Sequence, residues 1–319
     1  MLFLNGKEIT SVDRRLIQDA VSKAYELMHT GNFNMPDRSH VQDGDNTLLL
    51  MPCFSTSYFA TKLVSVFPGA ADRGLPVVNG IMTLADNTSG RPLAVMDGAA
   101  LTAERTGAVG GLAVSLLTAP HIETAGIFGA GVQGYSQARY LIMNRRIRRL
   151  VISDLSRESA GRMAAHFADA YPGLDCRVAD APDALVREAD LVIAATTSTT
   201  PLFSDDPGLV RGKTFISIGS FRPDMKEFPD AVSKAADRIY VDTPFAAKES
   251  GDIAVPLELG IVSKEDIRPF SGIAAGEKQD PDTETVFFKS VGMALFDLAV
   301  ASALYELAVA NNLGVELEF

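Results

Sequence analysis

The chain has 319 residues, of which 47% are hydrophobic and 22% charged, and its formal net charge at neutral pH is −11. This composition is typical of a globular protein with a large core, and the length leaves room for two domains. Nucleic acids and anionic membranes bind cationic faces, so the charge argues against both as partners. We find neither a secretory signal pattern nor an uninterrupted apolar stretch of about 18 residues, and we expect a cytoplasmic protein.

The cysteines and histidines do not form a recognisable site. Two cysteines and four histidines are scattered without a metal-binding spacing, so we predict no metal site. Cys53 lies among apolar residues, and we interpret it as a small buried side chain.

The first hundred residues predict a helix and a mostly antiparallel sheet. A short strand begins the chain, and apolar residues then recur with helical period from Val12 to Met28, before Gly31. Strand-like runs follow at residues 47–52, 58–67, 77–86 and 92–97. The Ala- and Val-rich residues 101–117 predict a helix.

From residue 124 onward, predicted strands and helices alternate. The strands are residues 125–128, 150–152, 176–178, 191–195, 214–218 and 239–241, of which we predict the last to be the final strand. Helices are predicted between most of them, and apolar spacing predicts one long helix over residues 285–311. The alternation indicates an α/β fold with a Rossmann-type doubly wound parallel sheet.

Residues 124–154 carry the pattern of a dinucleotide-binding unit. Between the first strand and its helix the chain reads Gly129, Ala130, Gly131, Val132, Gln133, Gly134, and Asp154 ends the next strand. In such units the first glycine permits a tight turn, the second lets the backbone approach a pyrophosphate, and the third lets the helix pack on the strand. An acid about twenty residues further on accepts from a ribose 2′-hydroxyl. The alternative is a glycine-rich turn that binds no nucleotide.

Other residues are predicted at the same edge of the sheet. Ligands of doubly wound sheets bind beyond the carboxyl ends of the strands. By the predicted strands, that edge includes Thr196, Thr197, Ser198 and Gly219. We interpret the loop carboxylates that follow as turn formers rather than catalysts; they are Asp205, Asp206, Asp224 and Glu227.

Three cations before residue 118 are candidates for binding a small carboxylate. Lys62 alternates with apolar neighbours, Arg105 lies in a nearly all-apolar helix, and Arg38 follows Pro36 and Asp37. Arginine binds a carboxylate bidentately, and a desolvated lysine donates a proton near neutral pH. The alternative is that these side chains are solvated.

Several segments together resemble the ornithine cyclodeaminase/mu-crystallin family. They are residues 74–109 (GLPVVNGIMTLADNTSGRPLAVMDGAALTAERTGAV), PDR at 36–38, TKLV at 61–64, GAGVQG at 129–134 and FKSVGMALFDLA at 288–299. The resemblance covers nearly the whole chain, in order. It implies an NAD(P)-dependent enzyme that acts on a small amino acid or its cyclic or linear imine.

The resemblance also implies a domain organisation and roles for particular residues. Residues 1–117 and 293–319 would form an α+β substrate-binding and dimerisation domain, and residues 118–292 the Rossmann domain, in a homodimer. Arg38, Lys62 and Arg105 match the family's substrate-carboxylate and catalytic positions, with catalysis assigned to Lys62 and Arg105. Cofactor-lining positions are matched by Thr106, Ser290, Val291 and Gly292.

One departure from the cyclodeaminase pattern bears on the reaction. Cyclodeaminases carry an aspartate where this chain has Phe221, in the segment IGSFRPDMKEF. The resemblance therefore favours an imine reductase, acting for example on pyrroline-2-carboxylate, or an amino-acid dehydrogenase. Two alternatives stay open: an ornithine or lysine cyclodeaminase that releases ammonia with catalytic NAD, and a non-catalytic crystallin-like protein that binds a small ligand.

The end of the second strand indicates the cofactor. Asp154 favours a free ribose 2′-hydroxyl and repels a 2′-phosphate, and the next residue is Leu155 rather than arginine. NAD is therefore predicted, with NADP as the alternative because Arg157 could reach a phosphate.

Overall fold

The structure is a computed structural model that describes residues 1–277 and 284–318. The strands are β1 (Leu2–Leu4), β2 (Phe33–Asn34), β3 (Ser39–Asp43), β4 (Asn46–Ser55), β5 (Tyr58–Val66), β6 (Val78–Asp86), β7 (Pro92–Asp97), β8 (Thr124–Phe128), β9 (Arg149–Ser153), β10 (Asp175–Val178), β11 (Leu191–Ala194), β12 (Thr214–Ser217), β13 (Arg238–Val241), β14 (Ile267–Pro269), β15 (Val286–Lys289) and β16 (Val315–Glu316). The helices are α1 (Gly6–Ser11), α2 (Arg14–Thr30), α3 (Gly98–Leu117), α4 (Val132–Asn144), α5 (Arg157–Ala170), α6 (Pro182–Glu188), α7 (Pro207–Val210), α8 (Asp230–Ala235), α9 (Ala246–Glu249), α10 (Gly251–Glu258), α11 (Phe270–Ala274) and α12 (Ala294–Asn311).

The chain forms two compact units. The first contains Met1–Ala108 and Met293–Phe319, and the second contains Val109–Gly292. Their boundary lies within helix α3 rather than after it at residue 117. The second half of α3 is held by residues of the second unit: Arg145 donates to the carbonyl of Ser115 at 2.7 Å, and the Thr214 hydroxyl donates to the carbonyl of Leu117 at 3.3 Å.

The first unit is built on a mixed, mostly antiparallel sheet, as the sequence predicted. Its strand order is β16-β1-β7-β6-β5-β4-β2, with β3 paired to β4, and β1 runs parallel to β7. Helix α12 packs on β5 and β4 and against α2. The rings of Tyr25 and Phe296 meet edge to face at 4.9 Å, so the core lies between these helices and one sheet face.

Helix α2 ends at Gly31 as the sequence predicted, but it begins at Arg14 rather than at Val12, which is the C-cap of α1. The Asp13 carboxylate caps it by accepting from the Arg15 N–H. Gly31 ends it in the left-handed region at φ 74°, which glycine adopts without steric cost.

The second unit is the predicted doubly wound sheet. Its strand order is β10-β9-β8-β11-β12-β15-β13-β14, and each neighbouring pair is parallel. The order reverses between β8 and β11, so the carboxyl ends of these two strands flank the switch point where ligands of such sheets bind.

The prediction of one long helix over residues 285–311 was wrong at its start. Residues Val286–Lys289 form β15, inserted between β12 and β13, and the helix begins only at Ala294. The prediction that β13 is the final strand of the sheet was wrong for the same reason. A short apolar run that is buried on both faces has no diagnostic period, and Gly292 at φ 73° interrupts the chain before the helix.

Helix α12 is long and apolar enough, by length and composition, to cross a membrane. Its mean hydropathy is 1.4, and 50% of its residues are buried inside the structure. It contains the fully buried Asp297 and packs on the sheet of the first unit, as a core helix does.

Candidate active site

The glycine turn after β8 has the geometry of a phosphate-binding loop. Gly129 has φ +99°, and a Cβ on Gly134 would lie 1.9 Å from the carbonyl oxygen of Gly129. Gly131 is the N-cap of α4 and has no side chain that could cap the helix, and a Cβ there would meet nothing within 4 Å. The first-turn N–H groups of α4 and the open side at Gly131 therefore fit a pyrophosphate.

Asp154 braces this turn. One carboxylate oxygen accepts from the Ala130 N–H at 2.7 Å, and the other accepts from the Ser156 N–H at 2.8 Å. The carboxylate is thus placed at the turn, as the sequence predicted. Val132 and Gln133 begin α4, and Val132 is exposed.

The loops after β11 and β12 lie at the same edge of the sheet. Ala194 pairs with Phe128 on one side and with Ser217 on the other, so the strands end together. Thr197 is exposed beyond this edge, and Thr196, Ser198 and Gly219 are partly exposed. The parallel register therefore places the predicted residues of these two loops at the same edge of the sheet as the glycine turn.

The buried Glu227 carboxylate accepts hydrogen bonds from both of these loops. It is fully buried, and one oxygen accepts from the Thr196 N–H at 2.6 Å. Its other oxygen accepts from the N–H groups of Gly219 and Ser220 at 2.9 and 3.1 Å. Glu227 thus shapes two loops through their backbone, and sequence alone does not show that this loop carboxylate points into the core.

Around Glu227 lies a buried polar network that the sequence did not reveal. Asp252 accepts from the N–H groups of Glu227 and Phe228 at 2.8 and 2.9 Å. The Lys289 ammonium donates to the Ser217 hydroxyl at 2.9 Å. Burial lowers the pKa of Lys289 and raises that of Glu227, because both charged forms lose hydration.

Asp242 holds the segment after β15. One of its oxygens accepts from the Ser290 hydroxyl at 2.6 Å and from the N–H groups of Val291 and Gly292 at 3.0 and 2.8 Å. Ser290, Val291 and Gly292, which the family resemblance assigns to the cofactor, are all buried. The only available signal for Asp242 was its position directly after a predicted strand.

In the first unit, Lys62 and Arg105 share one carboxylate. Lys62 Nζ lies 2.8 Å from Asp297 Oδ2, and Arg105 Nε lies 3.0 Å from Asp297 Oδ1. The side chains of Lys62, Arg105 and Asp297 are 2%, 9% and 0% exposed. The alternative that Lys62 and Arg105 are solvated is therefore wrong.

The sheet explains why a lysine is buried here. Along β5 buried residues alternate, and Lys62 shares its face with Ala60 and Val64. That face lies under α12, which supplies Asp297. Asp297 was missed because its helix is otherwise apolar and its partners are about 190 and 235 residues away in sequence.

The surroundings hold the pKa of Lys62 at about 8, below its ordinary value. Burial is the largest cause and lowers the pKa, whereas the Asp297 carboxylate raises it again. The positive charges of Arg105 and Arg38 lower it further, which places Arg38 within electrostatic range of Lys62. A lysine with this pKa exchanges a proton close to neutral pH.

The remaining predicted residues have these surroundings. Arg38 lies between β2 and β3 and is half-buried, and Thr106 is buried in α3. Cys53 is buried in β4, and burial raises the pKa of its thiol to about 12, which keeps it protonated. Within residues 1–277 and 284–318 we find no cluster of His, Cys, Asp and Glu able to hold a metal ion.

A glycine turn at the switch point of a parallel sheet places the second unit in the Rossmann class. The chain belongs to the ornithine cyclodeaminase/mu-crystallin family, whose model matches residues 6–312. The family resemblance inferred from the sequence motifs is thus confirmed.

Similar proteins include reductases and a dehydrogenase. The chain is 35% identical over 280 residues to a Δ1-pyrroline-2-carboxylate reductase of Bacillus cereus, covering 86% of this chain and 85% of that one. The structure of the Thermococcus litoralis Δ1-pyrroline-2-carboxylate reductase, in complex with NADH and L-proline, matches with a TM-score of 0.92 and 28% identity over 99% of this chain and all of that one. An archaeal alanine dehydrogenase dimer with bound NAD matches with a TM-score of 0.92 and 30% identity over 100% of this chain and 99% of that one.

Proposed function

We propose that this protein is an NAD-dependent oxidoreductase that reduces a small cyclic or linear 2-imino acid, such as pyrroline-2-carboxylate, or oxidises the matching L-amino acid. The observation that carries this proposal is the buried Lys62–Asp297–Arg105 cluster, which offers a positive charge to a substrate carboxylate and a proton donor to its imine nitrogen. Support also comes from relatives named for this chemistry.

Arg105 and Arg38 would bind the substrate carboxylate. Asp297 contacts Arg105 through Nε, on the side of the guanidinium rather than at its forked end. The two terminal amino groups of that fork match the spacing of two carboxylate oxygens. Binding at this fork would fix the orientation of the substrate's α-carbon.

Lys62 would supply the proton to the imine nitrogen. NADH, when bound, supplies the hydride for the α-carbon. An iminium is a better hydride acceptor than a neutral imine, so a cationic Lys62 favours reduction. Amino-acid oxidation instead requires the neutral amine of Lys62, which acts as a base. Because the pKa of Lys62 is about 8, its charged and neutral forms are both populated near neutral pH.

The residues of the second unit fit NADH. The open glycine turn would bind the pyrophosphate, and the Asp154 carboxylate would accept from a ribose hydroxyl. A 2′-phosphate would meet the negative charge of Asp154, so we propose NADH in preference to NADPH. Two relatives have NADH or NAD bound in their structures, which supports this cofactor.

We further propose a homodimer built on the first unit. Leu50, Leu63 and Ile81 pair directly across β4, β5 and β6, so they form one apolar row on the sheet face opposite Lys62. Ile81 is 45% exposed. An apolar sheet face of this kind is typical of an association surface, and the archaeal alanine dehydrogenase is a dimer.

The catalytic part of the proposal is tested by Lys62→Ala. We expect NADH-dependent reduction of pyrroline-2-carboxylate to fall by at least about a hundredfold, the scale of general acid catalysis. NADH affinity, measured by fluorescence titration, should stay unchanged because the variant leaves the second unit intact. The exposed Lys7→Ala variant controls for loss of a positive charge in the first unit. Undiminished turnover in Lys62→Ala would exclude Lys62 as the proton donor.

A further inference from the structure

The buried network of the second unit is centred on the Ser217 hydroxyl. Ser217 Oγ lies 2.8 Å from Glu227 Oε2, 2.7 Å from Asp252 Oδ2 and 2.9 Å from Lys289 Nζ. Ser217, Glu227 and Lys289 are fully buried, and Asp252 is 2% exposed. Each of these contacts must therefore be an internal hydrogen bond, because little water can reach the four side chains.

The number of hydrogens in this network is too small if both carboxyl groups are ionised. A serine hydroxyl has one hydrogen and two lone pairs. Lys289 donates to one lone pair of Ser217, and the single hydroxyl hydrogen can be donated to only one of the two carboxylates. The second carboxyl group then approaches an oxygen without a hydrogen between them, which is repulsive.

We propose that Glu227 and Asp252 share one buried proton, held on the Asp252 side, and that this protonated pair positions the loops after β11 and β12 for the nucleotide. A proton on Asp252 Oδ2 would be donated to Ser217, and Ser217 would donate to Glu227. Each lone pair and hydrogen of the hydroxyl then has a partner. The proposal depends on the proposed function only for the identity of the nucleotide.

The placement of the proton follows from the other partners of each carboxyl group. Both oxygens of Glu227 already accept from backbone N–H groups, of Thr196 on one side and of Gly219 and Ser220 on the other. Those donors favour an ionised Glu227. Asp252 receives its two backbone N–H groups on Oδ1 alone, which leaves Oδ2 to carry the hydrogen.

The charges around the network are consistent with one shared proton. Burial raises the pKa of Glu227, the positive charge of Lys289 lowers it, and the negative charge of Asp252 raises it again. Asp242 also faces Lys289 and favours its charged form. The hydrogen bonds of the two carboxyl groups therefore decide on which of them the shared proton resides.

The network would act on the cofactor through the backbone. Glu227 accepts from N–H groups of Thr196 and Gly219, both of which lie at the edge where the nucleotide is proposed to bind. Ser220 is joined to the same network by its N–H, and its hydroxyl contacts that of Ser250 at 2.6 Å. Glu227, Asp252 and Lys289 are therefore positioning residues rather than catalytic ones.

Amide substitutions distinguish the two carboxyl groups. In Asp252→Asn the side-chain N–H₂ can donate to Ser217 as the proposed acid does, so we expect the NADH dissociation constant to stay within about twofold of wild type. In Glu227→Gln the amide N–H₂ must face backbone N–H groups whichever way it turns, and we expect NADH binding to weaken at least about tenfold. Asp169→Asn, on the exposed surface of α5, is the matched control. Equal weakening in Glu227→Gln and Asp252→Asn, tolerance of both, or the reverse order would overturn the proposal.

Infrared spectroscopy of the wild-type protein tests the proton without relying on a variant's folding. At pH 8 exposed aspartate and glutamate side chains are ionised, so a carboxylic-acid carbonyl band reports a buried acid. We expect such a band in wild type and its loss in Asp252→Asn; its absence from wild type would overturn the proposal. The band does not depend on NADH, so a protein that shows it but binds no NADH would contradict the proposed cofactor and not the shared proton.

Discussion

At Lys62, burial and a neighbouring charge act in opposite directions on one proton. Desolvation lowers the pKa of the ammonium, and Asp297 raises it, with a result of about 8. A lysine in water would stay protonated to a much higher pH and would release its proton too reluctantly to serve in both directions. The pKa of about 8 therefore depends on a carboxylate from a distant part of the chain.

This balance predicts the pH dependence of Asp297→Asn. The cationic form of Lys62 is lost as pH rises through its pKa, so imine reduction by the wild type should decline above about pH 8. Removing the negative charge lowers the pKa further, and the decline of kcat/KM should move to lower pH. The charged and titratable groups that still act on the cluster include Arg105, Arg38 and Cys53.

A stability measurement accompanies that pH profile. Breaking a buried ion pair from one side costs about 3–5 kcal/mol, so urea unfolding of Asp297→Asn should begin at lower concentration. If the folded variant keeps the wild-type pH profile, Asp297 does not set the proton affinity of Lys62.

At the scale of the secondary-structure elements, α4 depends on a close approach at Gly134. A Cβ on Gly134 would lie 1.9 Å from the carbonyl oxygen of Gly129, well inside van der Waals contact. The helix can pack on the turn, and direct its N–H groups at a phosphate, only because Gly134 has no side chain.

Gly134→Ala should therefore shift α4 and impair both stability and binding. We expect a loss of about 1–3 kcal/mol, typical of an inserted methyl group in a packed interior, and at least about tenfold weaker NADH binding. Thermal unfolding and fluorescence titration measure the two effects.

The matched control lies one helix further along. In α5 a Cβ on Gly161 would meet nothing within 4 Å, so Gly161→Ala should stabilise the protein by about 0.5–1 kcal/mol and leave NADH binding unchanged. Similar behaviour of Gly134→Ala and Gly161→Ala would contradict the role given to the close approach.

For the whole molecule, the apolar row on the sheet of the first unit predicts its assembly. Ile81→Glu places a charge within this row, and we expect light scattering to show a dimer for wild type and a monomer for the variant. Leu259→Glu alters a side chain that is 64% exposed in the second unit and should remain dimeric. A dimeric Ile81→Glu, or a monomeric wild type, would refute the proposed surface.

The sequence by itself determined the Rossmann class and the glycine turn with the acid that follows it. It also singled out Lys62 and Arg105 as candidate site residues. These features are local, because periodicity, turn chemistry and motif spacing are all recorded within a few tens of residues. Strand β15 escaped prediction because a short apolar run that is buried on both faces has no distinguishing period.

Only the tertiary structure decided which charges meet. Asp297 approaches Lys62 from a helix more than two hundred residues away, and Asp252, Lys289 and Glu227 converge on Ser217 from separate elements. A buried ionisable group is tolerated only where partners offset its lost hydration, and those partners are set by packing rather than by sequence spacing.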